Sequence, residues 1–253
     1  MIKHFPRNDA GRDFAVGDIH GCYGLLQRQL NACGFDSHRD RLFSVGDLID
    51  RGPDSERAAD LLIEPWFHAV RGNHEAMAID MLGTTPDRAS YRLNGGKWFL
   101  DLPQWRQREL VDRFNALPIA LDIVTSRGLI GLLHAEMAGP SWANFCAVLE
   151  DAPSSLQLSP SAGADTVEHK SRHTRSRVRQ RLIDTALWSR NRIHHGDHRR
   201  IPDLHALVVG HTPVPSMTAL GNVYYIDTGA VFNRGPLTIV NLADLDQLRQ
   251  TPA

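Results

Sequence analysis

The sequence is poor in the features that mark membrane, secreted and nucleic-acid-binding proteins. Its 253 residues include no apolar run near the ~20 residues that a membrane helix needs, and residues 1–9 lack the apolar core expected of a signal peptide. The three cysteines, Cys22, Cys33 and Cys146, form no CxxC pair, which favours a reducing cytoplasm over a disulfide framework. A formal net charge of −1 gives no overall attraction to nucleic acid or anionic membranes.

The apolar content is sufficient for a large core. At 42% apolar residues, the chain fits one α/β domain over 1–253 better than two small ones. Short strands are predicted at 14–16, 41–45 and 67–70, each followed by a helix, which indicates parallel βαβ units. The other predicted elements are helices at 96–100, 104–116 and 140–150, a hairpin of 117–125 and 128–133, and strands at 206–209, 223–226 and 237–240.

Residues 151–181 are predicted to form an insertion. Residues 151–165 are rich in Pro, Ser, Ala and Gly, typical of an exposed loop. Five arginines follow between 172 and 181, and we interpret them as one side of a solvated helix that contacts the core through Val178, Leu182 and Ala186. A surface for acidic partners is the alternative. A nucleic-acid role would depend on this run alone, without interleaved aromatic residues, and is not expected.

Five predicted strands are each followed by a side chain that can bind a metal ion, and glycine precedes four of these positions. The candidates are Asp18 with His20, then Asp47, Asn73, His134 and His211. In α/β sheets such side chains leave the carboxyl ends of the strands and meet in one crevice. Singly, each has another explanation, since such an aspartate is often a helix cap and a single histidine is often a core residue. Their recurrence favours a metal site.

The ligand types indicate which metals fit. Three histidines, two carboxylates and one amide suit Mn²⁺, Fe or Zn²⁺ better than Ca²⁺. Six ligands exceed the need of one catalytic ion, and they fit two ions about 3.5–4 Å apart, with Asp47 as the natural bridge. Such a pair lowers the pKa of a shared water toward ~7, so that hydroxide can attack a phosphorus atom in line.

Residues 46–52, GDLIDRG, follow the second predicted strand. A glycine-bounded turn at a strand end can aim several side chains at one point. Asp47 could then bind a cation, Asp50 could hold a catalytic base, and Arg51 could bind an anion. Alone, the heptad could equally be a solvated acidic turn.

Taken in order, the motifs resemble a known family. GDIHG at 17–21, GDLIDRG at 46–52, GNHE at 72–75, a later histidine and GHTP at 210–213 resemble the metallophosphoesterases. Within them they resemble the PPP-type serine/threonine protein phosphatases, in the branch of the phage lambda phosphatase and its bacterial relatives. LNGG at 93–96, WSR at 188–190 and YIDTGAVF at 225–232 are also similar. The resemblance covers most of residues 14–240 and implies a central β-sandwich of mixed sheets flanked by helices.

The resemblance also implies roles for individual residues. Asp18 and His20 resemble ligands of a first ion, Asp47 resembles the bridge, and Asn73, His134 and His211 resemble ligands of the second. His74 resembles the general acid and Asp50 the carboxylate that orients it. Arg51 and Arg190 resemble the pair that binds the phosphate, with Arg71 a weaker candidate. Mn²⁺ is the metal implied. Residues 151–181 exceed the compact pattern of this branch, and Ala135 and Glu136 follow His134 where eukaryotic relatives tend to carry glycine.

The activity implied is hydrolysis of phosphoserine and phosphothreonine in proteins, with phosphotyrosine open. One alternative is hydrolysis of dinucleoside polyphosphates or another small phosphoester. His20 weakly favours the protein phosphatases, because the symmetrical dinucleoside tetraphosphatases tend to carry Gln there, and the WSR segment leans the same way. The alternative from another class is a non-catalytic phosphoprotein-binding module, which the complete set of ligand and catalytic candidates disfavours.

Overall fold

The computed structural model describes residues 1–150, 165–232 and 235–247, the side chains of 165–174 excepted. Its strands are Ile2–Phe5 (β1), Asp13–Val16 (β2), Arg41–Ser44 (β3), Phe67–Ala69 (β4), Ala120–Thr125 (β5), Gly128–Leu133 (β6), Ala206–Val209 (β7), Thr218–Leu220 (β8), Val223–Tyr225 (β9) and Ile239–Asn241 (β10). Its α-helices are Tyr23–Ala32 (α1), Ser55–Asp60 (α2), Asn73–Asp80 (α3), Arg88–Tyr91 (α4), Lys97–Leu100 (α5), Gln104–Ala116 (α6), Trp142–Glu150 (α7), Asp165–Trp188 (α8) and Asn191–His194 (α9). Leu61–Ile63 and Leu242–Asp244 are 3₁₀ turns, and Arg92–Gly96 is a π turn.

The strands form two mixed sheets. The four-stranded sheet has the order β10-β2-β3-β4, in which β2, β3 and β4 are parallel and β10 is antiparallel to β2. The six-stranded sheet has the order β1-β5-β6-β7-β9-β8. In it β6, β7 and β9 are parallel, and the β5–β6 hairpin and the β8–β9 pair are antiparallel. The parallel trio in each sheet places three strand ends at one edge.

The two sheets pack face to face over an apolar core. Phe43 and Val45 from the four-stranded sheet lie in one buried cluster with Leu132 and Val208 from the six-stranded sheet. Helices cover the outer faces: α1, α2, α3 and α6 contribute to a second cluster on the four-stranded sheet, and α7 and α8 contribute to a third on the six-stranded sheet. Removal of apolar surface from water stabilises this layered arrangement by about 25 cal/mol for each Å² buried. The predicted β-sandwich of mixed sheets flanked by helices is confirmed.

Most predicted elements are present, with shifts of one to three residues at their ends. Two strands were not predicted. β1 is mostly exposed, and its residues Ile2, Lys3, His4 and Phe5 show no clear alternation; it is a strand because it pairs with β5. β8 has three residues at a sheet edge. In both, pairing with a neighbour outweighs a weak local pattern.

The predicted basic helix exists as α8, but its contacts differ from the prediction. Ala186 is buried and Leu182 partly buried, as expected, whereas Val178 is 44% exposed and does not pack against the core. The helix therefore meets the body through its last turns. The predicted loop at 151–165 lies outside the described residues up to 164, and Asp165 begins α8. No helix in the described ranges combines the length and hydropathy needed to cross a membrane.

His68 in β4 is a half-buried titratable group near the interface of the two sheets. Its ring lies 4.5 Å from the ring of Phe5 and 5.2 Å from that of Phe43, centroid to centroid. Burial, with the nearby charges of Lys3 and Arg41, lowers the pKa of His68 to about 4. A neutral imidazole is therefore part of the folded state well below pH 6.5.

Candidate metal centre and active site

Six strand ends meet at one edge of the sandwich. β2, β3 and β4 lead into Asp18, Asp47 and Asn73, while β6 and β7 lead into His134 and His211. β9, parallel to β7, leads into Asp227. All of these side chains belong to residues that are nearly fully buried. The crevice predicted from the strand-end pattern is therefore present, with one carboxylate more than was predicted.

Strained backbone is concentrated at this edge. Among the described residues, five non-glycine residues have positive φ: His20, Asp47, Asp50, Arg51 and His211. Each such conformation costs on the order of 1–3 kcal/mol and persists only where its surroundings impose it. All five are residues that the sequence marks as site candidates. The strain gives each side chain a direction that a regular strand or helix could not provide.

Glu75 ties the start of α3 to the loop after β3. Its carboxylate accepts hydrogen bonds from the backbone N–H groups of Asp47 (3.0 Å), Leu48 (2.8 Å) and Gly72 (2.8 Å). A methyl group at Gly72 would overlap Asp47, so only glycine permits this close approach. Burial and the charge of Asp47 raise the pKa of Glu75 to about 7. These contacts give Glu75 a structural role, because its carboxylate satisfies three backbone N–H groups of two loops.

The first group of donor atoms surrounds His134. Its Nδ1 lies 2.8 Å from the carbonyl oxygen of Val45, which can only accept, so Nδ1 carries the proton and Nε2 presents a lone pair. His211 is fixed similarly, with Nε2 lying 3.2 Å from the carbonyl of Trp188. His134 Nε2 nevertheless lies 3.1 Å from His211 Nδ1 and 3.4 Å from Asp47 Oδ1. Lone pairs that converge without a proton between them fit a cation.

Asn73 belongs to the same group. Its Oδ1 lies 2.8 Å from His134 Nε2. The side-chain atoms of Asp47, His134 and His211 are close enough together to hold one ion. Burial lowers the pKa of His134, and burial lowers that of His211 to about 3. Both imidazoles are thus neutral at pH 7, the form that binds metal.

A second group lies on the other side of Asp47. His20 donates from Nδ1 to the carbonyl of Ile49 at 2.8 Å, and its Nε2 lies 3.5 Å from Asp47 Oδ2. His74 Nε2 lies 3.8 Å from the same oxygen. His20, Asp47 and His74 are also spaced to hold an ion. Asp47 is therefore the side chain that the two groups share.

Asp18 and Asp227 add buried negative charge beside Asp47. Both carboxylate oxygens of Asp18 accept from the backbone N–H of His211 at 3.1 Å. Burial and the charges of Asp227 and Asp47 raise the pKa of Asp18 well above its usual range. Burial also raises the pKa of Asp227 to about 6. Like charges buried together are unfavourable without compensation, so this donor set, like the converging lone pairs, fits divalent cations.

His74 and Asp50 form a buried pair next to these groups. His74 Nδ1 lies 2.7 Å from Asp50 Oδ2. The other oxygen, Oδ1, accepts hydrogen bonds from Trp98 Nε1 at 2.7 Å and from the Tyr91 hydroxyl at 3.1 Å. Burial opposes the charge of His74, but Asp47 and Asp50 raise its pKa above 6.5. Among the described residues, no hydrogen-bond partner reaches His74 Nε2.

Two arginines stand at the rim. Arg51 donates from Nη1 to His20 Nε2 in a short contact, and its guanidinium lies 5.3 Å from the ring of Phe232. Arg190 donates from Nη2 to the carbonyl of His211 at 3.2 Å. Both charges act on Asp227 and lower its pKa against the effect of burial. The structure thus brings Arg51 and Arg190 to the same crevice.

Arg71 has a different environment. Its Nη2 donates to the carbonyls of Asn115 at 2.7 Å and Leu117 at 3.3 Å, at the end of α6. Burial lowers its pKa. These contacts join α6 to the start of α3, and the structure does not bring this guanidinium into contact with the other candidates among the described residues.

Asp227, Tyr91 and Trp98 belong to the site although they are not among the residues predicted from the sequence. Asp227 follows β9, so the pattern of an apolar strand followed by a ligand could have found it. Tyr91 and Trp98 lie 41 and 48 positions from Asp50, and nothing in their spacing predicts that contact.

Comparison with known proteins identifies the family. The family model described as calcineurin-like phosphoesterase matches residues 14–232. The chain belongs to the calcineurin-like phosphoesterases. Serine/threonine-protein phosphatase 1 of Salmonella typhimurium is 34% identical to this phosphoesterase over 231 residues, which cover 90% of this chain and 91% of the relative. The symmetrical bis(5'-nucleosyl)-tetraphosphatase of Dechloromonas aromatica is 48% identical over 133 residues, which cover 51% of this chain and 45% of the relative.

Solved structures share the fold. A cold-active protein-tyrosine phosphatase of a psychrophilic Shewanella species matches this phosphoesterase with a TM-score of 0.56 and 15% identity, over 96% of this chain and 78% of that one. At this identity the likeness concerns the arrangement of sheets and helices. The family predicted from the ordered motifs is thus confirmed, and the chain is a metallophosphoesterase.

Proposed function

We propose that this phosphoesterase is a metal-dependent serine/threonine protein phosphatase that hydrolyses phosphoserine and phosphothreonine in proteins. The observation that carries the proposal is His74, a buried imidazole held at Nδ1 by Asp50, whose Nε2 has no hydrogen-bond partner among the described residues and lies 3.8 Å from the Asp47 carboxylate that the two metal-binding groups share. Such an imidazole is a proton donor aimed at a leaving group. Serine and threonine alkoxides need that proton, whereas a nucleotide phosphate leaves readily without it.

Two divalent cations are proposed, with Mn²⁺ as the physiological metal and Fe or Zn²⁺ as substitutes. The first would be held by Asp18, His20 and Asp47, and the second by Asp47, Asn73, His134 and His211. When bound, the cations would lower the pKa of a water molecule toward ~7 and polarise the phosphoryl oxygens. The backbone carbonyls of Ile49, Val45 and Trp188 hold the imidazoles in the tautomer that binding requires.

The remaining residues act on the substrate. Arg51 and Arg190 would each offer paired donors to phosphate oxygens, which gain charge as the reaction proceeds. As water attacks phosphorus, the bond to the serine or threonine oxygen breaks, and His74 Nε2–H gives its proton to that oxygen. Asp50 stabilises the imidazolium before transfer. We leave Arg71 out of this scheme, because backbone carbonyls occupy its guanidinium.

The relatives support a protein substrate. The match to the Salmonella serine/threonine phosphatase extends over nine-tenths of both chains, while the match to the tetraphosphatase covers about half of each. The higher identity in that shorter match nevertheless keeps dinucleoside polyphosphates as the second candidate. The three cysteines are free thiols, which favours a reducing cytoplasm as the compartment in which the protein functions.

Metal-stripped protein should be given a phosphothreonine peptide and diadenosine tetraphosphate in parallel, with and without Mn²⁺. We expect Mn²⁺-dependent phosphate release from the peptide, at a kcat/KM well above that for the dinucleotide. Asp47→Asn should abolish it, whereas Asp122→Asn, a buried aspartate of the other sheet, should retain it. Hydrolysis of the dinucleotide alone would show that the substrate is a dinucleoside polyphosphate and not a protein. No hydrolysis of either substrate by protein with bound metal would support a binding module.

A further inference from the structure

The segment 88–100, made of α4, the π turn and α5, carries the LNGG motif, to which the proposed mechanism gives no task. The π turn spans Arg92–Gly96, and Gly95 within it has φ of 97°. Gly95 has non-helical backbone angles, so α4 and α5 meet at a kink rather than forming one continuous helix. Here the turn separates two aromatic residues, Tyr91 and Trp98, that both face the crevice.

These two side chains saturate one oxygen of Asp50. Trp98 Nε1 donates to Oδ1 at 2.7 Å and the Tyr91 hydroxyl donates to it at 3.1 Å, while Oδ2 faces His74 Nδ1. Tyr91 and Asp50 are almost fully buried. With three donors at fixed positions, the carboxyl plane cannot rotate without losing a hydrogen bond in a low-dielectric site. The orientation of Asp50 in turn sets that of the His74 ring.

The glycines of the π turn bring the segment into contact with the loop after β3. A Cβ at Gly95 would lie 2.9 Å from both Cα and Cγ of Arg51. A methyl group at Gly96 would overlap the ring of Tyr91. Asp50 and Arg51, with φ of 72° and 68°, are thus covered by this segment on the side where Tyr91 and Trp98 approach.

We propose that Tyr91 and Trp98 are positioning residues, which hold Asp50 so that His74 Nε2 points at the leaving group. The inference deepens the proposed function and depends on it for its kinetic consequence. Loss of either donor should weaken proton delivery and leave phosphate binding by Arg51 and Arg190 intact. The defect should therefore appear in kcat and grow as the leaving group becomes poorer.

Kinetics of Tyr91→Phe and Trp98→Phe test this, with Tyr224→Phe and Trp142→Phe as controls. Tyr224 is a buried tyrosine of β9, and Trp142 donates to Asp122 at 3.0 Å, so both controls remove comparable groups outside the site. We expect kcat for a phosphothreonine peptide to fall about tenfold in each test variant, as for loss of a hydrogen bond to a charged group. KM for the peptide and kcat for p-nitrophenyl phosphate, whose phenolate needs no proton, should stay within about twofold.

A second readout needs neither metal nor substrate. In metal-free protein labelled with ¹⁵N-histidine, the Nδ1–H proton of His74 should resonate far downfield, and His74→Asn assigns it. Tyr91→Phe and Trp98→Phe should shift or broaden this signal, whereas both controls should leave it in place.

A double variant tests whether Tyr91 acts through Asp50. In an Asp50→Asn background, Tyr91→Phe should reduce kcat no further.

The outcomes separate this inference from the proposed function. Wild-type protein that is inactive on every phosphomonoester would overturn the function, while the His74 signal would still test the positioning. If the wild type is active and kcat of the test variants falls equally for the peptide and for p-nitrophenyl phosphate, the positioning role is overturned. An unchanged His74 signal in both test variants would also overturn it.

Discussion

Replacing His74 by Asn removes the proposed proton donor and leaves a side chain that still fits the buried site. The Asn amide is shorter than the imidazole, so no donor remains at the position of Nε2. Loss of general acid catalysis typically costs ~10²–10⁴-fold in rate, which corresponds to about 3–5 kcal/mol at 1.36 kcal/mol per tenfold. Because Arg51 and Arg190 remain, the loss should fall on kcat.

The same replacement has a calculable effect on stability. Asp50 loses its 2.7 Å contact with His74 but keeps the two donors on its other oxygen. One carboxylate oxygen left without a partner costs about 1–3 kcal/mol, which lowers Tm but does not unfold the chain.

The double variant His74→Asn/Asp50→Asn tests whether the two residues act together. Its kcat should be no lower than that of His74→Asn, since both residues serve one proton transfer.

The assay combines kcat for a phosphothreonine peptide with the metal content of the same samples. His4→Asn is the matched control, because His4 also pairs with a carboxylate, Asp122 at 2.8 Å, but at the far side of the fold. We expect metal content near the wild-type value in both variants and a lower kcat in His74→Asn alone. If His74→Asn loses an ion, His74 is a ligand of the group it forms with His20 and Asp47. Unchanged kcat would refute its role as the acid.

Three further predictions concern stability. Because an unfolded histidine has a pKa near 6.5 and burial lowers that of folded His68 to about 4, the free energy of unfolding of the wild type should fall by about 1–2 kcal/mol as the pH drops between these values, after allowance for solvent screening of this half-buried group. His68→Phe should lose less in urea denaturation; equal losses would contradict this. Gly46→Ala should lower Tm by about 2–12 °C, because Gly46 has φ of 97°, a conformation that costs other residues about 1–3 kcal/mol, and each kcal/mol shifts Tm by about 2–4 °C at this chain length. Gly24→Ala should cause no such loss; equal Tm values would contradict the strain. Mn²⁺ at 100 times Kd should stabilise the protein by about 2.7 kcal/mol for each bound ion, or about 5 kcal/mol for the proposed pair. Asp47→Asn should lose this gain and Asp122→Asn should keep it; an equal gain in both would contradict the site.

The site was predictable where each residue follows an apolar strand. Asp18, Asp47 and His211 occupy such positions, and strand ends converge for topological reasons that hold whatever the side chains are. Asp227 obeys the same rule and could have been found in this way. Its carboxylate differs only in lacking the glycine that precedes most of the others.

Other features depend on contacts that no local pattern encodes. Tyr91 and Trp98 reach Asp50 across more than forty positions, and their segment bends at a π turn that helical periodicity does not predict. β1 forms because it pairs with β5, although its own sequence is half polar and shows no clear alternation. Val178 has the right spacing for a buried face, yet α8 meets the body only after that turn. In each case tertiary contacts, and not the local sequence preference, determine the structure.

We propose that Asp47 joins two divalent cations into one phosphatase centre. Its most direct test is titration of metal-free protein with Mn²⁺, counting bound ions while phosphate release from a phosphothreonine peptide is followed. We predict two ions per chain, with activity that develops as the second binds, and neither in Asp47→Asn. A single ion with full activity, or full activity in Asp47→Asn, would contradict the account.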